Sequence, residues 1–450
     1  MPSLTATQRA DGWLSVLARI HKAAKRSRSL RFDNLLHHIT PVLLEQAYYK
    51  LNRKPSRGVD GVSWKEYGNS LVDNIQSLHQ PLHKQRYKPQ PVLRTWIPKP
   101  NGEQRPIGIT AVEDKIVQQA LVLILEPIYE VDFLGFSYGF RANRNQHRAL
   151  DAVYVAITQK KVSWMLDADM SQFFDTLNHG WLMKFLQHRI ADKRILHLIE
   201  RIVKAGVIED EHLTKTEVGS PQGAAVISPL LANIYLHYVL DLWANQWRKR
   251  SARGECYIVR YADDTVMGFQ YRSDGQHFMH ALEQRLHKFG LGLNRCKTHL
   301  IEFGRFAANN RKQKKQGKPA HFVFLGFTHV CSIKRSNGGF MLKRYTNAKK
   351  LTAKLKEIRQ ELMKRRTEDV YEIGKWLKRV VQGHNNYYGV PGNSAALNQF
   401  RTEICRTWLR ALRRRGQRHP INWQRLTKLI RLFIPNPRII HPYPNQRLSV

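Results

Sequence analysis

Tyr261-Ala262-Asp263-Asp264 sets two adjacent carboxylates between two apolar, β-rich runs, Cys256-Tyr257-Ile258-Val259-Arg260 and Thr265-Val266-Met267-Gly268-Phe269. The pattern reads as a strand, a tight turn and a return strand. Alone, an Asp-Asp pair at a hairpin tip is ordinary turn chemistry. Upstream, however, a second apolar run, Ser163-Trp164-Met165-Leu166, also ends in acids, Asp167-Ala168-Asp169. Hard divalent cations such as Mg²⁺ take a few carboxylate oxygens and complete their shell with water and phosphate. Two acid-tipped strands therefore point to phosphoryl transfer by two Mg²⁺ ions, with Mn²⁺ as a substitute. Asp169 and Asp264 are the expected ligands from adjacent strands, with Asp263 as third acid. Asp167 alternates to the same face but one pleat deeper, and Asp175 lies past the strand end in a capping position, so both are expected to be weaker ligands.

The charge balance says what such a site acts on. The 450 residues carry 74 Lys and Arg against 35 Asp and Glu, a formal charge of +39. Self-repulsion on this scale implies a polyanionic partner, and nucleic acid is the natural one. The imbalance thickens at the end: residues 401–450 hold twelve Lys and Arg and one acid, Glu403. The four cysteines, Cys256, Cys296, Cys331 and Cys405, form no C-x-x-C pair, which speaks against a zinc knuckle, a zinc-bound nuclease module or a disulfide framework. No run is apolar enough to span a membrane and no signal-peptide core opens the chain, so a bacterial cytosolic location is expected.

The elements that must position the acids follow from periodicity. Residues 1–55 are expected to be a helical extension, with Trp13, Leu14, Leu17 and Ile20 at helical spacing. Residues 92–110 read as a basic hairpin turning at Pro98-Lys99-Pro100-Asn101-Gly102. Helices are expected over 113–130, over 181–203, from Leu230 to Trp243, and over 276–289, with a strand pair near 322–342. Arg311 to Lys318 reads as a basic loop that either touches nucleic acid or stays unstructured. The alternation of helices and strands implies an α+β domain over 56–342. Beyond residue 342 the strand signal fades. Leu351, Leu355, Ile358 and Leu362, then Ile373, Trp376, Leu377 and Val380, stripe two basic helices, so 343–450 is expected to be a helical bundle with a basic tail.

Taken together and in order, these residues resemble a reverse transcriptase encoded by a group II intron. Asp167-Ala168-Asp169-Met170-Ser171-Gln172-Phe173-Phe174-Asp175 resembles the first palm motif of that family, and Tyr261-Ala262-Asp263-Asp264 its catalytic hairpin. Gly219-Ser220-Pro221-Gln222-Gly223 with Ile227-Ser228-Pro229 resembles the loop and helix under template and nucleotide. Trp96 to Gly102 with Arg105-Pro106-Ile107 resembles the fingers hairpin. Leu291 to Asn294 with Lys297-Thr298, and Phe324-Leu325-Gly326-Phe327, resemble the later palm element and the primer grip. Gln382 to Gly389 resembles an inter-helix signature, and His441-Pro442-Tyr443-Pro444 a carboxy-terminal one. One departure stands out: four residues, Ala224-Ala225-Val226-Ile227, separate Gly223 from Ser228, where the family usually has three.

The resemblance implies a right-hand polymerase fold, with fingers and an antiparallel palm followed by a helical thumb and maturase region. It implies an RNA template, a DNA primer or target, dNTP substrates and intron RNA as partners. Lys99 and Arg105 suit the triphosphate, as they would any basic ribbon. Gln222 suits a template contact or an ordinary turn. The resemblance makes Phe174 a gate against a 2′-hydroxyl, whereas its residue type fits core packing equally. Lys297 is either a general acid for pyrophosphate or a surface cation. Arg410, Arg413, Arg414 and Arg415, near Trp408, offer a phosphate-binding face. Tyr387 and Tyr388 suit core packing better than base stacking. Without a Cys/His nuclease cluster, any mobility is expected to proceed without self-made second-strand cleavage. Two other readings share much of this chemistry: a domesticated reverse transcriptase in phage defence or spacer acquisition, and a splicing-only RNA-binding protein, which predicts loss of an acid that is in fact present.

Overall fold

The computed structural model describes residues 6–52, 57–98, 104–209, 212–214, 219, 225–334, 336–415 and 421–447. Helices and sheets are mixed along the chain, and the sheet that matters most is four-stranded and antiparallel. Its order is His299–Glu302, Trp164–Ala168, Asp264–Phe269, Cys256–Tyr261. Both acid-bearing runs are neighbours in it. Strand 264–269 is buried at every position after Asp264, which explains its unbroken apolar run: it is packed on both faces.

Alternation sorts those faces. Leu166, Ala168, Ile258, Met267 and Phe269 join one large core with helices 112–129, 228–236 and 272–288. Met165, Val259 and Val266 join another with helix 146–159 and the three-stranded sheet Phe322–Phe324, Phe327–Ile333, Phe340–Thr346. The N-terminal helices Ala6–Arg26 and Pro41–Lys50 pack on Val112–Tyr129 and contribute Ile20, Leu43 and Leu44 to the first core. A second four-stranded sheet contains the hairpin Val92–Pro98 with Gln104–Ile109 and, parallel to it, Val207–Glu209.

After Thr346 the chain is helical: Ala348–Lys364, Val370–Tyr388, Ser394–Arg413 and Trp423–Phe433. Their apolar stripes meet in a third core built on Ile358, Leu377, Phe400, Ile404 and Trp408. Asn347 begins the first of these helices by accepting from Lys350 N. Buried Asn393 fastens the root, accepting from Thr346 N at 3.0 Å and donating to Tyr388 O at 2.9 Å. The chain then returns: Ile440 N and His441 N donate to Gly389 O at 2.8 and 3.0 Å. His441 stacks on His147 with ring centroids 3.6 Å apart, and its Nε2 is 2.7 Å from Asn386 O.

Three expectations need correction. The helix over 181–203 is two helices, His179–Gln187 and Lys193–Val203. Between them Arg189 turns inward to pair with Asp132 at 3.1 Å, and Asp192 caps the second helix. The basic loop from Arg311 begins as the end of a helix, Ala307–Gln313. Gln382 to Tyr388 lies in the last turns of helix 370–388 rather than between helices, and Gly389 ends it. Among the described residues no helix is long and apolar enough to cross a membrane.

Candidate active site

The register brings the acids together. Asp167 pairs with Val266 and Ala168 with Thr265, so one step further sets Asp169 opposite Asp264. By alternation Asp167, Asp169 and Asp264 share the face that looks toward the 322–346 sheet and the root of the helical segment. Tyr261 pairs with Asp264, which leaves Ala262 and Asp263 as a two-residue turn. Ala262 adopts φ +57°, left-handed for a residue with a Cβ, and such strain persists only where the surroundings enforce it.

Those surroundings lie on the opposite face. Arg260 is fully buried (0 % exposed) and donates to both oxygens of Asp241, at 2.7 and 2.6 Å; Asp241 is itself 0 % exposed. Arg260 also donates to Asn233 Oδ1 at 3.0 Å, to Ser137 Oγ at 2.8 Å and to Ala262 O at 2.9 Å, in the strained turn itself. Asp241 closes a π-helical turn, His237–Asp241, between helices 228–236 and 242–250; such turns concentrate at functional sites. Asn233 Nδ2 donates to Gly139 O at 2.7 Å. A Cβ on Gly139 would sit 2.4 Å from Ala262 N, so this glycine lets segment 136–140 lie against the hairpin. Sequence reasoning missed this clamp, because its members lie on elements far apart in the chain.

On the acid face, negative charge accumulates. The carboxyl of Asp167 is pushed up to about 7 by burial, then by Asp264, then by Asp169. Asp264 reaches solvent at the strand tip but is crowded beneath, and burial followed by Asp263 and Asp169 raises it to about 6, against relief from Lys350 and Lys297. Asp167, expected to be a weak ligand, is therefore electrostatically part of the cluster. Asp175 lies in the short helix Phe173–Thr176, with its main chain against Gly219.

Asp169 is held by its backbone. Asn294 N donates to Asp169 O at 2.8 Å, and Asp169 N to Thr298 Oγ1 at 3.4 Å. Lys297 Nζ lies 3.3 Å from Asp169 Oδ2, so the motif around Lys297-Thr298 reaches the acid directly. The donor set suits a hard divalent cation: oxygen ligands only, mutually repelling, with lysine ammoniums as nearby counter-charges. Among the described residues no group of three or more His, Cys, Asp or Glu side chains is arranged to hold a metal ion by itself. An open set of carboxylates is what a cation sharing its shell with substrate phosphates requires.

The other expected residues divide. Phe174 is half-buried, its ring 5.2 Å from Phe173 and packed on the first core. Arg105 lies in strand 104–109, while Lys99, Gln222 and Ala224 fall outside the described residues. Gly219, at φ +94°, donates from its N to Leu177 O at 2.8 Å. Tyr387 donates to Leu325 O at 2.9 Å and stacks on Phe327, as core packing predicts, yet lies near enough to Tyr261 and Asp264 that their charges add to burial in raising its pKa. Arg410, Arg413, Arg414 and Arg415 are all exposed, Arg413 and Arg415 each also donating to a main-chain carbonyl, of Ile421 and Glu368, while Trp408 is buried.

Comparison with known proteins agrees with this geometry. Protein YkfC of Escherichia coli is 38% identical over 273 residues, covering 53% of this chain and 71% of that protein. Group II intron-encoded protein LtrA of Lactococcus lactis is 34% identical over 235 residues, covering 51% of this chain and 39% of LtrA. An uncharacterized 91 kDa protein in the cob intron of Schizosaccharomyces pombe is 32% identical over 244 residues, covering 54% of this chain and 30% of that protein. The chain thus spans less than half the length of these two intron-associated relatives. Residues 97–329, a little over half of the chain, match the family described as reverse transcriptase (RNA-dependent DNA polymerase), and on that match and the paired acid strands within it the chain belongs to the reverse transcriptase family.

Proposed function

We propose that this chain extends a DNA primer on an RNA template by two-metal nucleotidyl transfer, and that it serves a group II intron as polymerase and maturase. The single observation carrying the polymerase reading is the register that sets Asp169 opposite Asp264 on one sheet face, with Asp167 behind and Asp263 in the turn. Asp169, Asp263 and Asp264 would hold two Mg²⁺ ions. When bound, these supply Lewis acidity at the primer 3′ hydroxyl and at the departing pyrophosphate. The clamp around Arg260 fixes the turn, and the 294–298 loop fixes Asp169, so the ligands are oriented before substrate arrives. Lys297, 3.3 Å from Asp169, would act as general acid for the departing pyrophosphate. Arg105 and Lys99 belong to the hairpin that would cover the triphosphate, and Phe174 and Gln222 are assigned to the sugar and the template on resemblance. The right-hand arrangement follows the same reading: fingers and palm over 56–342, thumb and maturase region over 343–450, helical extension over 1–55. Exposed lysines on helices 348–364 and 370–388 suit a duplex backbone gripped without regard to sequence. Intron association rests on the intron-encoded relatives.

The test is extension of oligo(dT) on poly(rA) with dTTP and Mg²⁺, comparing wild type with Asp263→Ala/Asp264→Ala. Extension by the wild type and its loss in the folded variant is expected. A folded, RNA-binding wild type that extends nothing across several salt and Mn²⁺ concentrations would leave only the splicing role.

A further inference from the structure

Segment 136–140 runs alongside the edge strand 256–261: Arg260 N donates to Phe136 O at 2.9 Å and Tyr138 N to Arg260 O at 2.8 Å. The segment carries Phe140 to the tip of the acid hairpin. There the ring is 53 % exposed, unusual for an aromatic beside a packed sheet, and its centroid is 6.5 Å from that of Tyr261. Its backbone is at φ +54°, a left-handed conformation disfavoured for a bulky side chain. Gly139, wedged against Ala262, fixes where Phe140 begins. Packing does not explain this residue: it is strained, largely uncovered and placed by its neighbours. Strain of this kind gathers at ligand contacts.

We propose that Phe140 is a substrate-contacting residue on which the 3′-terminal nucleotide of the primer stacks, forming with Tyr261 an aromatic floor beside the acids. The inference rests on the two-metal reading above. If the primer 3′ oxygen is to lie at Asp169 and Asp264, the terminal nucleotide must pass over the hairpin turn. Tyr261 shares the face of Asp264, and the ring of Phe140 reaches it there. An aromatic surface accepts any base, as a polymerase without sequence preference requires. Phe140 thus differs from Phe174, which is half-buried against the first core.

The test uses the full chain bound to an RNA template–DNA primer duplex with 2-aminopurine as the terminal primer base and no dNTP present. A stacked 2-aminopurine is quenched. Phe140→Leu and Phe140→Gly are expected to raise its fluorescence and to weaken duplex binding roughly tenfold, whereas Phe140→Tyr retains both. Because φ is positive, Phe140→Gly is expected to melt at or above the wild-type temperature, so loss of structure cannot account for the loss of stacking. Moving 2-aminopurine to the templating base should abolish the difference between variants. Unchanged fluorescence at the primer terminus in both the Leu and Gly variants, or a change confined to the templating base, overturns the proposal. Failure of the two-metal reading would appear elsewhere, as extension surviving Asp263→Ala/Asp264→Ala, and would leave this binding signal intact.

Discussion

Removing the carboxylate of Asp241 strands a guanidinium that water cannot reach. Arg260 and Asp241 are both 0 % exposed and joined by two hydrogen bonds of 2.7 and 2.6 Å. Breaking such a pair from one side leaves an uncompensated buried charge and costs about 3–5 kcal/mol. Asp241→Ala is therefore expected to lower the melting temperature by several degrees, with Asp241→Asn in between because it keeps an acceptor. The paired replacement Arg260→Met/Asp241→Leu removes both charges and is expected to recover much of that loss. Extension should not recover with it. Ala262 O, at 2.9 Å from Arg260 Nη1, loses the donor that holds the turn, and a misplacement of ~1 Å at reacting groups costs on the order of 100-fold. Melting curves and single-turnover extension at saturating duplex separate the two effects. An Asp241→Ala protein that melts within about one degree of wild type refutes the energetic argument. A paired variant extending at the wild-type rate refutes the claim that the clamp positions the turn.

Gly139→Ala tests the same clamp from the other side: a methyl 2.4 Å from Ala262 N must push the hairpin, which is expected to cost ~1–3 kcal/mol and to slow extension, read by melting and by single-turnover extension at saturating duplex. Mg²⁺ affinity should fall as pH drops from 8 to 6, since Asp167 and Asp264, held up at about 7 and about 6, take up protons that compete with the cation; a pH-independent Mg²⁺ titration would contradict the clustering of these acids. Acid should also destabilise the fold between pH 6.5 and 4, because burial lowers His237 and His384 to about 4 and His329 to about 3. In that window the unfolded chain binds protons that the folded one refuses, at up to ~1.4 kcal/mol per pH unit for each histidine. Replacing His329 by Phe should flatten part of the acid-side melting profile.

What could be read from sequence was whatever repeats at short range. The acid tips declared themselves because each follows an apolar run, and the structure pairs those runs as neighbouring strands. The stripes at Leu351 to Leu362 and Ile373 to Val380 gave the helices after Thr346 for the same reason. Contacts across long separations stayed hidden. Nothing local marks Gly139 as the residue that touches Ala262, or Ser137 as a partner of Arg260, more than a hundred positions away. Nor does sequence mark Arg260 as buried: an arginine in a strand ordinarily faces water, and here it faces a buried aspartate. Helix 181–203 was overextended because its apolar period runs on while Arg189 and Asp192 divert the backbone to partners on other elements.

The return of the chain through His441 changes the mechanics of the helical segment. A flap hinged at one end, at Thr346 and Asn393, would be free to swing. Here a second attachment exists, where residues 440–441 bond to Gly389, His441 stacks on His147, and Asn445 meets Gln159 at the end of helix 146–159. Together with Tyr387, bonded to Leu325 O and stacked on Phe327, these contacts hold the segment at several points rather than at one hinge. Residues 440–445 thus tie the helical segment back to helix 146–159, and the segment cannot swing away from the sheet without breaking those contacts.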